Sequence, residues 1–85
     1  MDKDVLLFAL STCIHCKNTK QFLDDCGVKH QCVFVDTLTG DERKAVVQKV
    51  KEYNAACSFP TLVINDGERV IVGFKRDEIK EVLGL

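Results

Sequence analysis

A Cys-x-x-Cys, Cys13-Ile14-His15-Cys16, stands where the apolar run from Val5 to Leu10 gives way to a helical pattern. A buried strand ends at its carboxyl edge, and Ser11 and Thr12 are the hydroxyls expected to cap the helix that follows. Cys13 then falls at or near the first helical position, where unpaired backbone N–H groups and the positive end of the helix dipole favour a thiolate over a thiol. Cys16 lies one turn deeper on nearly the same face, close enough for a disulfide with Cys13. The spacing predicts one exposed nucleophile and one sheltered resolving thiol. In a chain with five cysteines, the same spacing also suits half of a zinc site or a pair of inert buried thiols. Zinc normally takes a second pair of ligands at similar spacing, and Cys26, Cys32, Cys57, His15 and His30 form no second knuckle. Redox chemistry is the leading reading, with metal or cluster binding and structural thiols as the alternatives.

The 85 residues suit one domain, 1–85, and a net charge of -1 gives no electrostatic footprint for nucleic acid or an anionic membrane. The amino-terminal apolar run is too short to span a bilayer and has no small-residue cleavage site after it, so a core strand is expected. A cytoplasmic setting is expected with it, and there an odd number of cysteines speaks against a structural disulfide framework and for thiols kept reduced or cycled. A monomer is expected.

Along the chain, the pattern predicts a helix from Cys13 to about Asp25, with Thr19, Phe22, Leu23 and Cys26 on its buried stripe and Gly27 as its stop. Residues 31–35 (Gln-Cys-Val-Phe-Val) read as a parallel strand covered on both faces. Cys32 is expected to be structural, His30 solvated, and Asp36 a cap for the next turn. Thr39 and Glu42 fit a capping box for a helix to about Asn54, with Val46, Val47, Val50 and Tyr53 inward. Leu62-Val63-Ile64 and Val70-Ile71-Val72 read as strands joined by a turn at Asn65-Asp66-Gly67-Glu68. A short helix from Asp77 to about Leu83 ends the pattern.

The order β-α-β-α-β-β-α, with Cys-x-x-Cys after the first strand and Pro60 before the third, resembles the thioredoxin superfamily and, at this length, the glutaredoxins. Within them, residues 13–20 (Cys-Ile-His-Cys-Lys-Asn-Thr-Lys) and Gly73-Phe74-Lys75-Arg76-Asp77 are similar to glutaredoxin-like redoxins such as those that serve ribonucleotide reductase. The resemblance implies an α/β fold, a four-stranded mixed sheet flanked by three helices, and a cis peptide at Phe59-Pro60 against the cysteine pair.

The activity implied is thiol-disulfide exchange on protein substrates, in electron transfer and cell redox homeostasis. Cys13 would attack, Cys16 resolve, and His15, placed as in protein disulfide isomerase, stabilise the thiolate. Thr12, Ile14, Ser58, Phe59, Pro60, Gly73 and Phe74 would border the substrate, with the Phe59 backbone as the docking strand. The redox-active disulfide itself is the only cofactor expected. Ser58-Phe59-Pro60 replaces the usual Thr-Val-Pro, and no acidic residue takes the place around Lys75-Arg76 that holds the glutathione amine in members that use it. Weak glutathione binding is therefore expected. The external reductase could be thioredoxin reductase, a ferredoxin-dependent reductase or glutathione, and the alternative function is zinc or [2Fe-2S] cluster binding. Cys57, three residues before Pro60, is a candidate third redox thiol or else a half-buried loop residue pointing away.

Overall fold

The computed structural model describes residues 4–85. Its elements are strand β1 (Val5–Ala9), helix α1 (Ile14–Asp25), strand β2 (Gln31–Phe34), a 3-10 turn (Val35–Thr37), helix α2 (Gly40–Tyr53), strand β3 (Thr61–Ile64), a 3-10 turn (Asn65–Gly67), strand β4 (Arg69–Val72) and helix α3 (Arg76–Leu83). The strands form one mixed sheet in the order β2-β1-β3-β4. β1 runs parallel to β2 and antiparallel to β3, and β4 is antiparallel to β3. The expected α/β architecture of four strands and three helices is the one observed.

Side chains alternate across the sheet, so the central strands feed two cores. Val5, Leu7 and Ala9 of β1 join Leu62, Ile64 and Ile71 on one face, where Cys16 and Leu23 of α1 and Ile79 of α3 cover them. Phe8 and Val63 point to the other face, against Val35 of the first 3-10 turn and Val50 of α2. All four residues of β3 are buried. Burial on both faces is the reason β1 and β3 read as continuous apolar runs.

Several expectations fail for identifiable reasons. β2 is an edge strand with only β1 beside it, so Gln31 is exposed and Cys32, Val33 and Phe34 are only half-buried. Val35 leaves the strand for the 3-10 turn and is buried there. Cys26 is exposed, off the buried stripe. The helix closes on Gly27, at φ 69°, with Val28 N–H donating to the Leu23 carbonyl at 2.9 Å, so Cys26 is a cap and not a stripe residue. His30 is not solvated, since its side chain is 6% exposed with Nε2 3.7 Å from Asp24. Its Nδ1 lies 2.9 Å from the Val28 carbonyl oxygen.

The capping box also does not form. Thr39 is the N-cap of α2 but makes no side-chain cap hydrogen bond. Gly40 enters the helix at φ 60°, which is not a helical value, so the backbone at the helix start departs from the geometry a capping box needs. Asp41 and Glu42 still lie in the first turn, where the dipole favours them. The β3-β4 connection is the expected turn, carried through positive φ at Asn65, Asp66 and Gly67.

Candidate active site

The loop between β1 and α1 delivers both thiols. Cys13 has extended backbone (φ -87°, ψ 120°) and is the N-cap of α1, and its own sulfur accepts the Cys16 N–H at 3.2 Å. The expected hydroxyl caps are therefore not used. The Ser11 hydroxyl donates to Asp36 instead, and Thr12 is exposed. A sulfur in the capping place takes up an amide that the helix leaves unpaired and lies at the positive end of the helix dipole.

Cys16 is the sheltered member, 1% exposed and part of the core beneath β1. Leu10 N–H points at its sulfur at 3.5 Å. The Cys16 thiol is pushed up to about 12, first by burial and then by the hydrogen bond with the Cys13 sulfur, while the Leu10 amide pulls the other way. Cys13 is half-buried and reachable. The two thiols thus differ in access, and burial keeps the proton on Cys16. Ile14, between them, is 63% exposed, a large apolar side chain in water beside the nucleophile.

The Leu10-to-Cys13 segment is a turn closed by Cys13 N–H donating to the Leu10 carbonyl at 3.2 Å. Ser11 within it donates its N–H to Asp36 Oδ1 at 3.0 Å and its hydroxyl to Asp36 Oδ2. These bonds hold the Asp36 carboxyl below the usual carboxylate range, with the hydroxyl the larger cause. Asp36 therefore ties down the cysteine loop and does not cap its own turn, which is a correction to the sequence reading.

On the far side, Phe59-Pro60 is a cis peptide and Pro60 is buried. Phe59 packs against both cores, and the Pro60 carbonyl accepts Gly73 N–H at 2.9 Å. That bond brings Gly73 beside the proline. Phe74 packs against the same core as Cys13, with its ring edge-on to Phe22 at 6.0 Å, and the Arg76 guanidinium lies 5.6 Å from the Phe22 ring centre. The sequence reading missed the stack of Arg76 on Phe22, since the two residues lie on helices far apart in the chain.

It also missed Asn54. The Asn54 Nδ2 group donates to the Ser58 carbonyl, the Ser58 hydroxyl and the Thr61 hydroxyl at 3.2, 3.1 and 3.2 Å, and Oδ1 accepts Ala56 N–H at 3.2 Å. Its carbonyl accepts Cys57 N–H at 2.9 Å. One side chain at the end of α2 thereby shapes the whole loop before the proline. The available signal was an asparagine immediately before a loop.

Cys57 sits at φ 50° and packs against the α2-side core, whereas Cys13 and Cys16 belong to the opposite core. His15 is exposed on the first turn of α1, and its carbonyl accepts the Thr19 hydroxyl at 2.8 Å. Among the described residues, no group of three or more His, Cys, Asp or Glu side chains is placed to hold a metal ion. A cleft of about 650 Å³ lined by Asp4, Leu6, His30, Lys49 and Asp66 contains none of these site residues. No helix among the described residues is long and apolar enough to cross a membrane.

A sheet ordered β2-β1-β3-β4, a dithiol at the start of the first helix and a cis-proline just before the third strand define a thioredoxin-superfamily protein of the glutaredoxin type. The family description "Glutaredoxin" matches residues 5–70, and the chain belongs to the glutaredoxin family. Among solved structures, the chain is similar to the glutaredoxin from Methanosarcina mazei Go1 at 49% identity and a TM-score of 0.88, covering 96% of this chain and 79% of that one. It is similar to Methanosarcina acetivorans methanoredoxin at 44% identity and a TM-score of 0.92, covering 96% and 85%. The Gene 56 protein of Mycobacterium phage D29 is 30% identical over 79 residues, 93% of this chain and 81% of that protein. The narrower likeness, to redoxins that serve ribonucleotide reductase, has little support here. The glutaredoxin-like NrdH-redoxin from Escherichia coli is 18% identical with a TM-score of 0.68, a likeness of fold alone.

Proposed function

We propose that the protein is a dithiol-disulfide oxidoreductase that reduces protein disulfides through Cys13 and Cys16. The observation that carries this is the asymmetry of the pair. Cys13 is a reachable sulfur at a helix N-cap, and Cys16 is a buried thiol held protonated 3 residues on, its own N–H bonded to the first sulfur.

The Cys13 thiolate attacks one sulfur of a substrate disulfide. A Cys13-substrate bond forms, the substrate disulfide breaks, and the departing substrate thiolate takes a proton from solvent. Once Cys13 is in that mixed disulfide, its hydrogen bond and negative charge no longer hold the Cys16 proton, and two of the causes that raise the Cys16 pKa are gone. Cys16 loses its proton to solvent and attacks Cys13, and the second substrate thiolate leaves and is protonated. Two electrons pass from the dithiol to the substrate, and an external reductase restores the dithiol.

Ile14, Phe59 and Phe74 give the substrate an apolar rim, and the Phe59 backbone, beside Thr12, Ser58, Pro60 and Gly73, pairs with its extended chain. Glutathione is a weak ligand in this reading, since no acidic side chain takes the glutathione amine around Lys75-Arg76. The protein works as a monomer in a reducing cytoplasm, where its thiols are kept reduced or, at Cys13 and Cys16, cycled.

The test is reduction of insulin disulfides driven by dithiothreitol. Wild-type protein should accelerate it and Cys13→Ser should not, whereas a Cys13→Ser protein as fast as wild type would refute the proposal. Offering the oxidised protein glutathione, a thioredoxin reductase and a ferredoxin-dependent reductase in parallel identifies the donor, and rapid saturable turnover with glutathione would refute the weak-ligand reading.

A further inference from the structure

We propose that Asp36 is a positioning residue for the dithiol, acting through Ser11, and the proposal rests on the disulfide-exchange reading above. β1 and β2 pair in parallel with a constant offset, Leu7 with Cys32 and Ala9 with Phe34. The backbone ladder stops there, because the β1 chain turns off toward α1 and the β2 chain curls into the 3-10 turn. The next pair at the same offset and on the same side is Ser11 and Asp36, and it is joined by a side chain in place of the backbone. Asp36 Oδ1 takes the Ser11 N–H at 3.0 Å and Oδ2 takes the Ser11 hydroxyl. The carboxylate extends the sheet by one step into the loop.

What it holds is the turn on which both sulfurs depend. Ser11 and Thr12 are the two central residues between Leu10 and Cys13, which close the turn at 3.2 Å. The other polar group of Leu10, its N–H, is directed at the Cys16 sulfur at 3.5 Å. One residue thus meets Cys13 with its carbonyl and Cys16 with its amide, and the next residue is fixed to the 3-10 turn after β2 by two bonds, both to a charged acceptor and so of the stronger kind. Without the carboxylate, the turn is held only by the bonds Leu10 makes. The Cys13 sulfur then spends less time in the N-cap geometry, and near-attack alignment is lost with it.

The test compares Asp36→Ala, Asp36→Asn, Ser11→Ala and the Asp36→Ala/Ser11→Ala double variant by kcat/KM for insulin reduction and by the rate of Cys13 alkylation by iodoacetamide at pH 7. Asp36→Ala should lower kcat/KM about tenfold, and Asp36→Asn, which keeps an acceptor for Ser11, should recover most of the loss. The double variant should be no slower than Asp36→Ala, because both substitutions break one link. A folded Asp36→Ala protein within about twofold of wild type in both rates, or losses that multiply in the double variant, would overturn the proposal. If Asp36→Ala does not fold, Ser11→Ala decides alone: a loss of at least about threefold supports the link, and an unchanged rate overturns it. Failure of the underlying reading looks different, since wild-type protein would then reduce no insulin at all.

Discussion

In the proposed exchange Cys16 has to stay protonated while Cys13 attacks and lose its proton once the mixed disulfide exists, and its surroundings suit both needs. Burial and the neighbouring sulfur push its thiol from an ordinary 9.0 up to about 12. The sign of the consequence for stability follows by linkage. As pH rises past about 9, the unfolded chain gives up this proton and the folded protein keeps it, so the unfolded state gains and stability falls. The slope reaches about 1.4 kcal/mol per pH unit at most and continues until the folded thiol itself titrates. Urea unfolding of the reduced protein between pH 8 and 11 should show the decline, and Cys16→Ala should flatten it relative to wild type. Equal slopes in the two proteins would show that Cys16 is not held protonated by the fold. The residue pattern did reveal which thiol is sheltered, because i and i+3 share a helix face. It could not reveal that the cap is the Cys13 sulfur, since Ser11 and Thr12 are better capping types. Ser11 is instead bonded to Asp36, across 25 residues of sequence, and the helix begins at Ile14, which places cysteine at the cap.

Elements were legible where their periodicity was strong and misread where a terminus decided the outcome. α1 was recovered to within a residue, yet Cys26 was assigned to its buried stripe, because periodicity does not say where the last turn stops and Gly27 stops it one residue earlier. β2 looked like a central strand because its residues are apolar. Its edge position follows from the pairing of β1 with β3, which no local pattern contains. The loop from α2 to β3 shows the same limit. Pro60 marked it as part of the site, but the side chain that shapes it, Asn54, belongs to the preceding helix end. Asn54→Ala removes an acceptor for Ala56 and a donor shared by Ser58 and Thr61. It should lower stability by roughly 1–3 kcal/mol and raise KM for a protein disulfide more than it lowers kcat, since in the proposed function the loop carries the docking backbone and not the sulfurs. Steady-state kinetics separates the two, and a fall confined to kcat would contradict that assignment.

At the scale of the whole molecule, the sheet order brings three remote segments to one edge: the β1-α1 loop with the dithiol, the loop before β3 with Pro60, and the β4-α3 connection with Gly73 and Phe74. The Gly73 N–H bond to the Pro60 carbonyl at 2.9 Å joins the last two. Resemblance supplied this convergence to the sequence reading, and hydrophobic patterning alone would not have done so, because the strand order depends on long-range pairing. Cys57 sits in one of these loops but packs toward the opposite core from the dithiol. In the proposed mechanism, exchange therefore rests on two sulfurs. Trapping decides this most directly: Cys16→Ser protein mixed with a disulfide-bonded peptide, quenched in acid and mapped by mass spectrometry. A stable mixed disulfide at Cys13 and at no other cysteine is the predicted result, and an adduct at Cys57 or Cys32 in its place would contradict the account.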